Sequence, residues 1–188
     1  MCIRDSYWPT YSANMGELAE PLIEYVEGLV KPGRVTAKVY AGAETTNPET
    51  TPIGEGEGYM AHTENTAYGW TAPGQSFSWG WSPAAVPWIL QNVYEAYEYS
   101  GDPALLDRVY ALLKEESHFY VNYMLHKAGS SSGDRLTTGV AYSPEQGPLG
   151  TDGNTYESSL VWQMLNDAIE AAKAKGDPDG LVLSLIHI

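Results

Sequence analysis

Two stretches hold the residue types that could do chemistry. The first is Thr138-Gly-Val-Ala-Tyr-Ser-Pro-Glu145-Gln-Gly-Pro148. Pro144 biases Ser143 toward extended backbone, and Gly147 and Pro148 turn the chain. Between them stands Glu145, with no cation within five residues on either side. A carboxyl on a stiff loop beside aromatic residues has the surroundings that raise its pKa and make it a proton donor. The plainer reading is a solvated turn glutamate. The second stretch is Ala61-His62-Thr63-Glu64-Asn65-Thr66, followed by Gly69-Trp70 and Trp79-Gly80-Trp81. A histidine, a carboxylate and an amide beside indole rings are what a sugar site uses for hydroxyls and ring faces. Metal binding is the rival reading, but His62 and Glu64 are too few ligands and show no recognised metal spacing. A loop whose Asn65 and Glu64 cap backbone groups is the plain alternative.

Composition narrows the chemistry. The net charge is −14, which argues against nucleic acid and anionic membrane as partners and leaves neutral substrates such as sugars open. Tyrosine and tryptophan number fourteen and six against two phenylalanines, a balance that suits stacking on sugar rings and also helix packing. Cys2 is the only cysteine, so there is no disulfide framework. No apolar run approaches the length of a membrane span. Gly54-Glu-Gly-Glu-Gly58 lacks the pattern and flanks of a dinucleotide loop, and its acids would repel phosphate.

The elements that must position these stretches read as helices. Leu18, Leu22, Ile23, Val26, Leu29 and Val30 recur at helical spacing. Pro21 divides a short first turn from the main helix, and Lys31-Pro32-Gly33 is expected to stop it. Val35 to Ala41 alternates loosely and suggests a short strand, and Glu44 to Gly58 reads as a long surface loop. A helix follows over Pro83 to Tyr99. Gly101 ends it, Asp102 caps the next helix and Pro103 opens that helix, which runs to about Leu125. His118 and His126 on this helix are ordinary surface or core histidines. The short link makes the pair antiparallel neighbours. Asn154-Thr-Tyr-Glu157 resembles a capping box. Its helix continues through Leu160, Val161, Met164, Leu165, Ala168 and Ala172, and Gly176 and Pro178 end it.

The two ends have a different origin. Met1-Cys-Ile-Arg-Asp-Ser6 back-translates as ATG TGT ATA AGA GAC AG, whose reverse complement begins Leu-Ser-Leu-Ile-His-Ile, the sequence of residues 183–188. The shared element resembles the mosaic end of a transposon-based sequencing adapter. Residues 1–6 and 183–188 are therefore expected to be adapter-derived tails, and 7–182 an internal fragment of a longer domain.

The motifs Tyr7-Trp8-Pro9, His62-Thr-Glu-Asn-Thr66, Trp79-Gly-Trp-Ser-Pro83 with Trp88, Tyr97-Glu-Tyr-Ser-Gly-Asp102 and Ser143-Pro-Glu145 stand in an order that resembles the catalytic domain of the family 95 glycoside hydrolases, the 1,2-α-L-fucosidase family. The resemblance covers nearly all of 7–178. It implies a mainly α fold, part of an (α/α)6 barrel, and hydrolysis of terminal α-1,2-linked L-fucose with inversion. It implies Glu145 as general acid and Glu64 as a carboxylate that holds the sugar, with His62 and Asn65 as neighbours at the site. No metal or other cofactor is implied, and the partner is a fucosylated oligosaccharide or glycan. Family habit points to an extracellular or surface-attached bacterial enzyme. In the family, water is activated by an Asn-x-Asn pair just before the Tyr-Trp-Pro motif, supported by an Asp well downstream. Both are expected to lie outside this fragment, which alone is then no competent catalyst and exposes apolar helix faces. An α-L-galactosidase on the same scaffold and a non-catalytic sugar-binding helical domain are the alternatives.

Overall fold

The computed structural model describes residues 7–74, 80–127, 136–143 and 150–185. The chain is mainly helical: α1 (Trp8–Ser12), a 3-10 turn (Gly16–Ala19), α2 (Glu20–Ala41), α3 (Ala85–Ser100), α4 (Pro103–Phe119), α5 (Thr155–Ala174) and α6 (Leu181–Leu185). Two antiparallel ladders of two-residue strands complete it: β1 (His126–Lys127) with β2 (Leu136–Thr137), and β3 (Val140–Ala141) with β4 (Thr151–Asp152).

The punctuation read from the sequence operates as expected around the α3–α4 corner. Gly101 closes α3 at φ 63°, a left-handed conformation that glycine adopts without steric cost. Asp102 then accepts from the backbone N–H of Ala104 at 2.9 Å, and Pro103 opens α4. A π turn over Tyr120–Met124 prolongs α4 to near the expected end. Helices α3, α4 and α5 each pack on the other two. Leu90 and Val93, Leu112 and Leu113, and Met164 with Ala168 are wholly buried among them.

The main departure from expectation is in α2. Lys31-Pro32-Gly33 does not stop it, and Val35–Ala41 is helix rather than strand. Pro32 removes one backbone donor and crowds the preceding turn, at a cost of about 3 kcal/mol. The helix persists because its buried stripe runs straight across the proline: Val26, Leu29 and Val30 are followed by Gly33, Arg34, Thr36 and Ala37. Val35, Val39 and Tyr40, which suggested a strand, are the exposed residues of that helix. Tertiary burial outweighs local propensity here.

The segment read as a surface loop is also more organised than expected. Gly54, Gly56 and Gly58 lie against α4, where an added Cβ would meet Ala111 at 3.1 Å, the Glu115 carboxylate at 2.3 Å and Phe119 at 2.2 Å. Ala111, Glu115 and Phe119 are spaced by four, so each stands about one helical turn (~5.4 Å) beyond the last. Alternate glycines therefore fall opposite successive turns. The repeated glycines serve close packing against a helix. Beneath them Arg34 donates to both oxygens of Glu115, at 2.7 and 2.8 Å, and to the carbonyls of Pro48, Thr51 and Pro52. Glu115 also accepts from the Gly54 N–H at 2.8 Å. All five guanidinium donors are used in a site closed to solvent.

Near the C-terminus, α6 buries Leu181 and Leu185 against the core.

Candidate active site

The loop of residues 62–71 is laid along one stripe of α2. Tyr25 donates its hydroxyl to Asn65 Oδ1. Gly69 sits over Pro32, with room for a Cβ 3.5 Å from the ring. Thr36 shares a 2.7 Å hydrogen bond with Thr71, and the ring of Tyr40 meets His62 edge-on at 6.2 Å. Residues 25, 32, 36 and 40 are spaced by seven, four and four, which is one helical face. The stripe exists only because α2 continues through Pro32. The departure from the expected helix end is thus what builds the site.

His62 is fully buried. Its Nδ1 lies 2.8 Å from the Thr71 carbonyl oxygen. A carbonyl only accepts, so Nδ1 carries the proton and Nε2 is left as a lone-pair acceptor. Burial pulls the imidazole pKa down to about 4, with the Thr71 carbonyl opposing. The ring is therefore neutral at ordinary pH. It can accept a hydrogen bond from a hydroxyl but cannot serve as a cationic acid. Nε2 has no hydrogen-bond partner among the described residues. Trp81 packs on the ring at 5.0 Å between centroids.

Glu64 is exposed, and its carboxylate rests on Gly74, where a Cβ would lie 1.9 Å from Oε2. Gly80 in turn lies against the 73–74 backbone, its own Cβ position 2.3 Å from the Gly74 nitrogen. Gly74 thus leaves room for the carboxylate, and Gly80, next to Trp81 in the chain, leaves room for Gly74. Asn65 turns inward instead. Its Nδ2 donates to the His62 carbonyl at 2.5 Å while Oδ1 takes the Tyr25 hydroxyl. One amide hydrogen and one lone pair remain to it, and its evident task is to hold the 62–65 turn.

Glu145 lies outside the described residues, as does Trp79. The chain leading to Glu145 is described. Tyr142 donates its backbone N–H to the Trp81 carbonyl at 3.0 Å, and Trp81 Nε1 donates to the Val140 carbonyl at 2.8 Å. Trp81 therefore joins the two stretches singled out in the sequence: one side packs on His62, the other grips the strand that precedes Glu145. Among the described residues no three His, Cys, Asp or Glu side chains come together to hold a metal ion, and no helix is long and apolar enough to cross a membrane.

Two groups of site residues and a third group of buried acids escaped the sequence reading. Tyr25, Thr36, Tyr40 and Thr71 carry no local signal, because their role comes from the path of the loop over α2. The strap from Trp81 to Val140 and Tyr142 is a backbone matter with no residue signature. The third group did have a signal. Glu116 falls on the same helical face as Leu112 and Leu113, and Glu157 on that of Leu160, Val161 and Met164. Both are fully buried. Burial raises the Glu157 carboxyl to about 8, against the hydroxyl of Tyr120 and the Ala84 backbone, which favour the charged form. Glu116 is raised well above the carboxylate range by burial, then by Glu115 and Glu157.

A helical scaffold that presents a neutral histidine acceptor, an exposed carboxylate and an indole on loops at one helix face has the furnishings of a carbohydrate-active domain. Residues 2–187 match the glycosyl hydrolase family 95 catalytic domain, and the chain belongs to that family. Its helices are part of that family's (α/α)6 barrel. It is 28% identical over 178 residues to the "Probable alpha-fucosidase A" of Aspergillus niger, covering 93% of this chain and 21% of that protein. It is 23% identical over 191 residues to the "Alpha-L-fucosidase 2" of Arabidopsis thaliana, covering 96% of this chain and again 21% of the relative. The chain thus spans about a fifth of the length of the curated relatives it matches.

Proposed function

We propose that the chain is a segment of an inverting exo-α-L-fucosidase that removes terminal α-1,2-linked L-fucose from glycans. In this reading Glu145 is the general acid. It gives its proton to the glycosidic oxygen as the bond from that oxygen to the anomeric carbon breaks, and the glycan leaves as an alcohol. A water attacks the opposite face of the sugar and loses its proton to residues outside this chain. In inverting enzymes the two groups stand about 6.5–9.5 Å apart, leaving room for that water. Glu64 and His62 bind sugar hydroxyls: the carboxylate and the bare Nε2 both accept, which suits a polyhydroxylated, uncharged ligand. Asn65 shapes the turn that carries them and offers its remaining donor. The alcohol products and neutral substrate require no cofactor.

The observation that carries the reading is the Trp81 join. One residue packs on the His62 ring and holds the strand leading to Glu145 by two hydrogen bonds. It draws together a hydroxyl-binding group and the base of a proton-donor loop that lie about eighty residues apart in sequence. The names of the relatives agree with fucose as the sugar. On the same proposal, residues 1–6 and 183–188 are adapter-derived, and long reads of the source DNA across Tyr7 and Val182 would show an uninterrupted frame on both sides.

Proton NMR of the parent enzyme acting on a 2-linked α-fucoside tests the reaction class. Inversion yields β-L-fucose before mutarotation. First-formed α-L-fucose would contradict the mechanism, and no fucose release would contradict the substrate.

A further inference from the structure

Asn154 uses a single side-chain amide for two separate attachments. Its Oδ1 accepts from the Glu157 N–H at 2.8 Å and caps α5. Its Nδ2 donates to the Ala141 carbonyl at 3.0 Å. Ala141 belongs to β3 and pairs with Thr151 of β4, so the span that includes Glu145 is closed at its base by this ladder. A helix cap requires only the first of these bonds. Serine, aspartate and asparagine supply it about equally well, so the second bond is what singles out an amide.

The first turn of α5 also reaches the other side of the site. The Tyr156 hydroxyl and Ser82 Oγ lie 3.3 Å apart. The buried Glu157 carboxyl lies by the Ala84 backbone, which favours its charged form against the effect of burial. Residues 82–84 directly follow Trp81, which holds Val140 and Tyr142 and packs on His62. One rigid helix end is therefore fastened both to the segment behind the histidine and to the base of the loop four residues before Glu145.

We propose that Asn154 is a positioning residue for proton donation: it locks the base of the Glu145 loop to the same helix end that anchors the Trp81–His62 side. The proposal rests on the fucosidase reading above. A shift of about 1 Å in a catalytic group is worth up to ~10²-fold in rate, and freeing Ala141 from the helix end permits such a shift. The effect falls on steps that need the acid.

The test uses the parent enzyme with Asn154→Asp, and Asn154→Ser as the second variant. Both keep the cap acceptor and remove the amide donor. With a glycan leaving group, kcat falls about 10–100-fold while KM stays within about twofold. With an activated aryl fucoside, whose leaving group needs little protonation, kcat falls less than about threefold. The melting temperature stays close to wild type, because the cap survives. Unchanged kcat on the glycan with both variants would overturn the proposal, leaving Asn154 as a helix cap only. An equal fall on both substrates, or a fall confined to KM, would also overturn it. If Glu145→Gln leaves glycan turnover intact, the fucosidase assignment of the acid fails, and that result is independent of the Asn154 series.

Discussion

Replacing Arg34 by methionine should be among the most damaging single changes in the chain. Methionine keeps the aliphatic volume but, among the described residues, leaves the buried Glu115 carboxylate with only the Gly54 N–H, and strips donors from the carbonyls of Pro48, Thr51 and Pro52. Removing one partner of a fully buried ion pair costs about 3–5 kcal/mol. Gly56 supplies an internal control. A Cβ there would lie 2.3 Å from Glu115 Oε1 and 2.7 Å from Arg34 Nε, so Gly56→Ala alone should also destabilise strongly. In a Glu115→Ala background the clashing carboxylate is gone and the same glycine change should cost far less. The assay is denaturant unfolding of the parent protein, with the two substitutions arranged as a double-mutant cycle. A loss below about 1 kcal/mol for Arg34→Met, or additive costs for Gly56→Ala and Glu115→Ala, would refute the packing argument.

Two further predictions concern charge and exposed surface. The folded Glu157 holds its proton to about pH 8, whereas an unfolded glutamate releases it near 4.5. Stability from this group is present below pH 4.5 and is lost as pH rises through that window to about 8. Glu116 adds to the loss in the same direction. His62 has the opposite sign, losing stability as pH falls from 6.5 to about 4. Glu157→Gln should therefore flatten the decline in unfolding free energy between about pH 5 and 8; an unchanged slope would contradict the buried neutral carboxyl. Separately, Trp162, Val39 and Tyr99 stand largely exposed. The isolated chain should bind hydrophobic dyes and unfold without a sharp transition, as a partly molten species does; a cooperative two-state melt would contradict that.

The helices were legible in the sequence where periodicity and punctuation agreed. Gly101-Asp102-Pro103 gave both the end of α3 and the start of α4, and Asn154 declared itself as a cap. What could not be read was a consequence of distant packing. Pro32 and the β-branched residues after it are local breakers of a helix, and only the buried Arg34, Thr36 and Ala37 show why α2 continues. Gly54 to Gly58 lacks the pattern of a dinucleotide loop, and its use in packing depends on Ala111, Glu115 and Phe119, about sixty residues away. At the site, His62 and Glu64 were visible as chemistry-bearing types on one loop. The order in which Trp81 joins that loop to the approach of Glu145 was not, because backbone carbonyls and amides make the join and every residue has those. Asn65 was read as a sugar neighbour, whereas its amide is largely engaged by Tyr25 and the His62 carbonyl.

The central claim is that Glu145 delivers the proton to a departing glycan. The most direct measurement is the turnover of Glu145→Gln in the parent enzyme on two substrates, a 2-fucosylated glycan and an activated aryl α-L-fucoside. General acid catalysis is worth about 10²–10⁴-fold. The account predicts a loss of that order on the glycan, a far smaller loss on the aryl substrate, and little change in glycan binding. Retention of most glycan activity, or equal losses on both substrates, would contradict it.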